Sequence, residues 1–270
     1  VLIQKNDRVG MPVYSCSSLR NAVGMVGGKD VYIDCAKGSP NLDIEQAEKA
    51  ELDILIAPSM FGIPVELPEI RSYKLIEDLA QSIGAEMNGE RIGLRGDLGI
   101  CSFYVTKLIT SGGQGGAIIS KNKILIDKIR DYLQFDCRHD KKLRFNFQMT
   151  DLHAAIGRVQ LAKLPNFIKR REKIFSLYKQ FGLNILDCPT SNPVRYRALM
   201  HCEQPRSLIS VLENENIKSI IPIEEFELLD DPDNYPIARE LTNTLISLPI
   251  YPELSEEDVV TISGIVSKRI

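Results

Sequence analysis

The sequence lacks the patterns that mark several functional classes. Its three histidines (His139, His153, His201) show no His-x3-His spacing, and its six cysteines form no Cys-x2-Cys pair, so no metal site is expected. Several cysteines lie inside apolar runs, which points to a reduced, cytoplasmic protein rather than a disulfide framework. No apolar stretch reaches the roughly 20 residues of a membrane-spanning helix, and no signal peptide is visible. Thirty-three basic residues against 36 acidic ones leave a net charge of −3. That balance gives no electrostatic reason to expect nucleic acid or a membrane as partner. There is no tandem repeat, no low-complexity tract and no Gly-x-Gly-x-x-Gly. The glycine cluster Gly112, Gly113, Gly115 and Gly116 is not followed by the Gly-Lys-Ser/Thr of a Walker loop.

What is present is enough for a sizeable core: 270 residues, 44% of them hydrophobic, which suits one large or two unequal domains. Up to Ser120, short apolar runs alternate with short helical stretches. Strands are expected over 8–14, 30–34, 53–57, 74–77, 99–103 and 117–119, with Pro12 tolerable only at an edge or an end. Leu19, Ala22, Val23 and Val26 have helical spacing that Gly27-Gly28 ends, and a short helix is expected over 42–50. This is the pattern of an α/β protein with a mostly parallel mixed sheet flanked by helices. Beyond Ser120 the periodicity turns helical, through Ile126, Ile129, Tyr132 and Leu133. Thr150 can cap a helix whose inner face is Leu152, Ala155, Ile156 and Val159. Pro165 is expected to interrupt it, and Ile174, Leu177, Tyr178 and Phe181 make a further stripe that Gly182 ends. The remainder reads as a small C-terminal α+β domain: strands near 197–201 and 218–221, helices over 206–213 and 237–246, and a last helix opened by Ser255-x-x-Asp258. The expected division is residues 1–170 and 171–270.

One stretch, residues 74–120, concentrates the chemistry. The run Leu75-Ile76 stops at Glu77 and Asp78, and Gln81 follows. The run at 99–103 leads to Ser102, Lys107 and the glycine cluster. A charge at the end of a buried strand is costly unless it has a partner, and ligands on such sheets sit at strand carboxyl ends. Each residue also has a plainer reading. Lys107 could be a solvated turn lysine, Asp78 a helix N-cap, Gln81 an exposed helical position, and Asn146 a loop residue bonding local backbone. The glycines could serve only a tight turn, and Glu77 reads as structural.

The order Glu77-Asp78-x-x-Gln81, Ser102-Phe-x-x-x-Lys107 and Gly-Gly-x-Gly-Gly resembles the DegT/DnrJ/EryC1/StrS family. Its members are nucleotide-sugar aminotransferases that use pyridoxal 5'-phosphate on a fold-type-I scaffold. The resemblance implies that Lys107 holds the cofactor's aldehyde carbon and later moves a proton, and that Asp78 faces the ring nitrogen. It implies that Gln81 lies near the phenolic oxygen and that Ser102 binds the phosphate. Asn146, in Phe145-Asn-Phe-Gln-Met-Thr-Asp-Leu152, resembles an asparagine that reaches the neighbouring subunit's phosphate, so a homodimer with a shared active site is implied. The implied reaction moves an amino group from an amino acid, with glutamate the expected donor, to a keto-sugar nucleotide in surface-polysaccharide or deoxysugar biosynthesis.

The sequence also departs from the family pattern. A Gly-Thr-x-Ala-Leu turn that binds the phosphate should lie before Val1, so a truncated or naturally short form is expected. Cys16 stands where an aromatic ring usually stacks on the cofactor. Gln148, Arg144 and Ser59-Met60 replace the usual Arg, Gly and His-Leu. A Tyr-Pro-x-Pro-x-His segment appears as Ile220-Ile-Pro-Ile-Glu-Glu. These changes motivate a second expectation, a degenerate, non-catalytic paralogue acting as a partner or regulatory subunit. They also lead to the expectation that this chain binds pyridoxal phosphate weakly or not at all.

Overall fold

The computed structural model describes residues 1–269. The chain begins with β1 (Arg8–Pro12), α1 (Ser18–Met25), β2 (Lys29–Ile33), α2 (Ile44–Lys49), β3 (Ile54–Pro58) and β4 (Lys74–Asp78). The two-residue strands β5 (Glu86–Met87) and β6 (Glu90–Arg91) precede β7 (Leu98–Ser102) and β8 (Gly116–Ile119). Then follow α3 (Lys123–Leu133), α4 (Asp151–Gln180), β9 (Ser191–Asn192), β10 (Ala198–His201) and α5 (Pro205–Asn214), and finally α6 (Pro236–Thr244), β11 (Leu245–Leu248) and α7 (Glu256–Ser267). Among the described residues, no helix is long and apolar enough to cross a membrane.

The main sheet runs β2-β1-β3-β4-β7-β8. Every neighbouring pair is parallel except β7 with β8, the mixed, mostly parallel sheet that the sequence predicts. All five residues of β3 are buried, as expected for a parallel strand covered on both faces. The chain steps from β1 out to β2 and then returns past β1 to β3. That reversal opens a crevice at the carboxyl ends of the strands. Pro12 is the last residue of β1, where its missing N–H does least harm.

The buried apolar residues fall into four clusters, and the first spans both parts of the chain. One apolar cluster joins Val9, Met11, Ile54 and Ile76 to Leu199, Leu228, Ala238, Leu241 and Leu245. A second surrounds β10 and β11, with Ile174, Phe175 and Tyr178 of α4 and Val259 and Ile262 of α7. Asp34 accepts the N–H groups of Ile237 (3.1 Å) and Ala238 (2.8 Å), tying the start of α6 to the end of β2.

Four expectations are corrected. Pro165 does not interrupt its helix: α4 runs unbroken over 30 residues with the proline inside. An internal proline costs about 3 kcal/mol, and burial of Leu164 before it and of Ile174, Phe175 and Tyr178 after it outweighs that. The helix expected over 237–246 ends at Thr244. Leu245–Leu248 is instead fully buried as a strand antiparallel to β10, because cross-strand pairing captures its apolar residues. The strand expected near 218–221 is reduced to one bridge, Ile220 with Ser247. No helix follows Asp78: residues 80–84 form a turn.

Candidate active site

β4 delivers two carboxylates to its carboxyl end, and strand alternation sends them to opposite faces. Glu77 is 2% exposed and is met by backbone N–H groups of Gly93 (2.9 Å), Arg95 (2.7 Å) and Gly96 (2.8 Å). The Arg95 guanidinium adds Nε and Nη2, each at 3.1 Å. The loop that supplies these donors lies against β7 so closely that a Cβ on Gly99 would sit 2.3 Å from the Gly93 carbonyl oxygen. Glu77 is a structural anchor, as the sequence reading has it.

Asp78, 8% exposed, is treated differently. It accepts one hydrogen bond, from the N–H of Ala80 at 2.8 Å. Burial pushes its carboxyl above the usual carboxylate range, opposed by the Ala80 N–H and the charge of Lys107. An ionised carboxylate has about four acceptor positions, so most of its capacity is unused. Cys101, on the neighbouring strand, is pushed up to about 11 by burial and by Asp78, so it is a neutral thiol.

Lys107 stands in the turn between β7 and β8. That turn is held by Phe103 N–H to Gly115 O (2.8 Å), Val105 N–H to Gly113 O (3.0 Å), Lys107 N–H to Tyr104 O (2.9 Å) and Ser111 N–H to Phe103 O (3.0 Å). Gly112 and Gly113 have φ of +80° and +139°, which explains the glycines at this bend. Among the described residues, no carboxylate forms an ion pair with Lys107. The half-buried lysine is instead close enough to Asp78 for its charge to be felt there.

Ser102 ends β7. Asp78 pairs with Ile100 in register, so Ser102 lies two residues further along the same edge, its Oγ 3.4 Å from the Tyr104 N–H. Gln81 follows in the turn after β4. Its Oε1 accepts the Phe61 N–H at 2.7 Å, leaving the amide NH2 directed elsewhere. Asn146 is not joined to these four by any hydrogen bond within the chain. It is exposed, between Phe145 and Phe147, whose rings stack at 5.1 Å. Cys16 is exposed.

The sequence reading missed the residues that close this edge. Tyr14, just past β1, is fully buried and packs edge-on to Phe61 at 6.0 Å. Tyr196, from the C-terminal part, donates its hydroxyl to the carbonyl of Thr106 at 3.0 Å, beside Lys107. Arg197 follows it. Only the strand signals at 8–14 and 197–201 touched this region.

Comparison with known proteins gives the family of the chain. The model of the DegT/DnrJ/EryC1/StrS aminotransferase family matches residues 1–267. A GDP-perosamine synthase of Escherichia coli O157:H7 is 26% identical, over 96% of this chain and 78% of its own length. A UDP-N-acetyl-3-dehydro-alpha-D-glucosamine 3-aminotransferase of Acidithiobacillus ferrooxidans is 25% identical, over 99% of this chain and 79% of its own length. In fold, the chain is similar to a DegT DnrJ EryC1 StrS aminotransferase from Brucella abortus, with a TM-score of 0.90 at 24% identity, over 98% of this chain and 80% of the other. The motif residues Asp78, Gln81, Ser102 and Lys107, the sheet order and these matches have one common explanation: the chain belongs to the DegT/DnrJ/EryC1/StrS aminotransferase family.

Proposed function

We propose that this chain is a pyridoxal-phosphate-dependent aminotransferase that moves an amino group from an amino acid, expected to be glutamate, to a keto-sugar nucleotide in surface-polysaccharide or deoxysugar biosynthesis. The observation that carries the reading is Asp78: a buried carboxylate with one hydrogen bond and a lysine beside it that lacks an ion-pair partner. A protonated ring nitrogen fits the unused acceptor positions, and the Lys107 amine fits an aldehyde carbon. When bound, the cofactor supplies an electron sink for the carbon next to the transferred nitrogen. Asp78 holds the proton at the ring nitrogen. Lys107 would hold the cofactor at its aldehyde carbon, and its amine, when free, would take the proton from the substrate carbon. The free NH2 of Gln81 donates to the ring oxygen. Ser102 and the N–H groups of the neighbouring turn receive the phosphate.

In this reading, residues 1–170 carry the cofactor and residues 171–270 form the smaller domain of a cytoplasmic enzyme. Asn146 is exposed rather than joined to its own chain's cluster, which supports a homodimer whose Asn146 completes the partner's phosphate site. The exposed apolar side chains Phe147, Leu152, Val159 and Leu161 offer a surface for that contact. A non-catalytic paralogue would have no use for an under-bonded buried carboxylate beside a lysine.

The test is a titration with pyridoxal phosphate followed by visible absorbance. The expected result is a new band in wild type that Lys107→Ala abolishes and added glutamate shifts. A band of equal size in Lys107→Ala, or none in wild type at millimolar cofactor, overturns the reading.

A further inference from the structure

Among the described residues, three α-helices each hold one glycine: Gly24 in α1, Gly157 in α4 and Gly264 in α7. Glycine in a helix interior is less favourable than alanine, so its presence there calls for a reason. A Cβ built on Gly24 or Gly264 would meet nothing within 4 Å. A Cβ built on Gly157 would lie 2.7 Å from the Ser111 Oγ, about 0.7 Å short of ordinary contact at 3.4 Å. The next atom, the Ser111 Cβ, would be 3.7 Å away. Of the three glycines, only Gly157 is bare for the sake of a neighbour, and that neighbour is one oxygen. Ser111 is fully buried, and its Oγ has no hydrogen-bond partner among the described residues.

Ser111 belongs to the turn that carries Lys107. Its N–H donates to the Phe103 carbonyl at 3.0 Å, and the Lys107 N–H donates to the Tyr104 carbonyl at 2.9 Å. Between them, Leu108 and Ile109 are buried in an apolar cluster that includes Leu164 of α4. Two glycines of the same turn also lie against the start of α4 and the residues before it. A Cβ on Gly112 would sit 2.8 Å from the Ile156 Cδ1, and one on Gly115 would sit 3.0 Å from the Met149 Cε. In this half of α4, His153, Ala154, Gly157, Gln160 and Leu164 are the residues withdrawn from solvent, the spacing of one helical face. Leu152, Ala155, Ile156 and Val159, expected from the sequence to form the inner face, are the exposed ones. A face centred on Ala154 and Gly157 lets the turn come close, which a face of larger side chains would not.

We propose that Gly157 is a positioning residue for Lys107. Its bare Cα lets Ser111 settle on α4, and the backbone bonds from Ser111 back to Phe103 carry that placement to the lysine. The serine has little room to turn aside, since a Cβ on Gly115 would come within 3.0 Å of both its Cβ and its Oγ. A close-packed contact of this kind transmits a displacement rather than absorbing it, so a methyl group at 157 lifts the turn. That Lys107 meets a cofactor's aldehyde carbon rests on the aminotransferase reading; the contact that places its turn does not.

Gly157→Ala tests this in two ways. In cofactor-free protein, hydrogen exchange at the Lys107 and Ser111 N–H groups should quicken through local opening. The denaturant midpoint should stay equal to wild type or rise, since alanine suits a helix better than glycine. With pyridoxal phosphate, the visible band that depends on Lys107 should form about ten- to a hundredfold more slowly, the loss expected for a reacting group misplaced by about 1 Å. Ser111→Ala removes an oxygen that bonds to nothing and leaves only the 3.7 Å contact. Alone it should match wild type, and combined with Gly157→Ala it should return both readings close to wild type. Ser111→Val, which enlarges the same contact from the side of the turn, should also slow the band. It decides the question should Gly157→Ala fail to fold. Equal exchange and equal band rates in wild type and Gly157→Ala overturn the proposal. So does a loss that Ser111→Ala fails to repair, which would make Gly157 a matter of helix packing alone. Lys107→Ala separates this proposal from the functional reading. Gly157-dependent exchange, repaired by Ser111→Ala, in a protein whose absorbance ignores Lys107 would sink the reading and leave the placement of the turn. A Lys107-dependent band that Gly157→Ala leaves unchanged would do the reverse.

Discussion

Glu77 and Asp78 are neighbours on β4 and both are buried, yet the fold satisfies one and leaves the other short. Glu77 receives three backbone N–H groups and the Arg95 fork. Asp78 receives one N–H. The first arrangement spends a carboxylate on holding the loop at residues 93–96 against the sheet. The second retains acceptor capacity at the edge where Lys107 stands. Arg195 and Arg197 repeat the contrast with the opposite sign of charge: one is ion-paired with Glu172 and Asp187, the other, among the described residues, lacks an anion. A fold can leave partnering incomplete only in a few places, and two of them here are the end of β4 and the residue just before β10.

The largest effect that can break this comparison is on turnover. Asp78→Asn should lower transamination on the order of 10²–10⁴-fold, the range for a positioned proton-holding group, while the denaturant midpoint stays equal to wild type or rises. An amide is cheaper to bury than a carboxylate with one partner. A large fall in the midpoint would mean that Asp78, too, is structural.

Glu77→Gln should do the opposite. Removing the charge from this set of donors leaves Arg95 without its anion and should cost about 2–3 kcal/mol of stability in guanidinium unfolding. That estimate is set low because the Arg95 side chain remains 23% exposed. Turnover per folded molecule should change little. If Glu77→Gln is no less stable than Asp78→Asn, the distinction between the two carboxylates collapses.

How much of this was legible in the sequence follows from distance along the chain. Asp78, Gln81, Ser102 and Lys107 lie in one segment, and each strand that carries them announces its end by an apolar run that meets a polar residue. The mostly parallel mixed sheet followed from the alternation of runs and turns, whereas the order of its strands came only from the structure. Arg197, Tyr196 and Tyr14 were not legible, because what matters about them is what they face. Arg195 and Arg197 look alike in the sequence, and only the packing of α4 and the β10–β11 pair gives acids to one and a cavity to the other. The unbroken α4 has the same cause: local rules read Pro165 as a stop, and tertiary burial of Ile174, Phe175 and Tyr178 overrides them. Asn146 was legible as a motif, but within one chain it remains an exposed loop residue.

The smallest effect sharpens the comparison through pH. Burial raises the folded-state pKa of Asp78 above the 3.8 of an unperturbed aspartate. Between that value and the raised one, the folded protein holds more protons than the unfolded chain. The contribution of Asp78 to stability is therefore fully present below its unfolded pKa and is lost as pH rises through the folded pKa, because stability falls wherever the folded state binds more protons. Each unit of upward shift is worth about 1.4 kcal/mol. Unfolding free energies of wild type and Asp78→Asn, measured without cofactor from pH 3.5 upward, should differ by a curve that declines through this window and is flat above it. Bound cofactor should flatten the decline, because a positive ring nitrogen gives the ionised carboxylate the partner it lacks. A difference curve that is flat throughout, or that rises with pH, would show that Ala80 and Lys107 already satisfy the ionised form, and the contrast with Glu77 would lose its electrostatic basis.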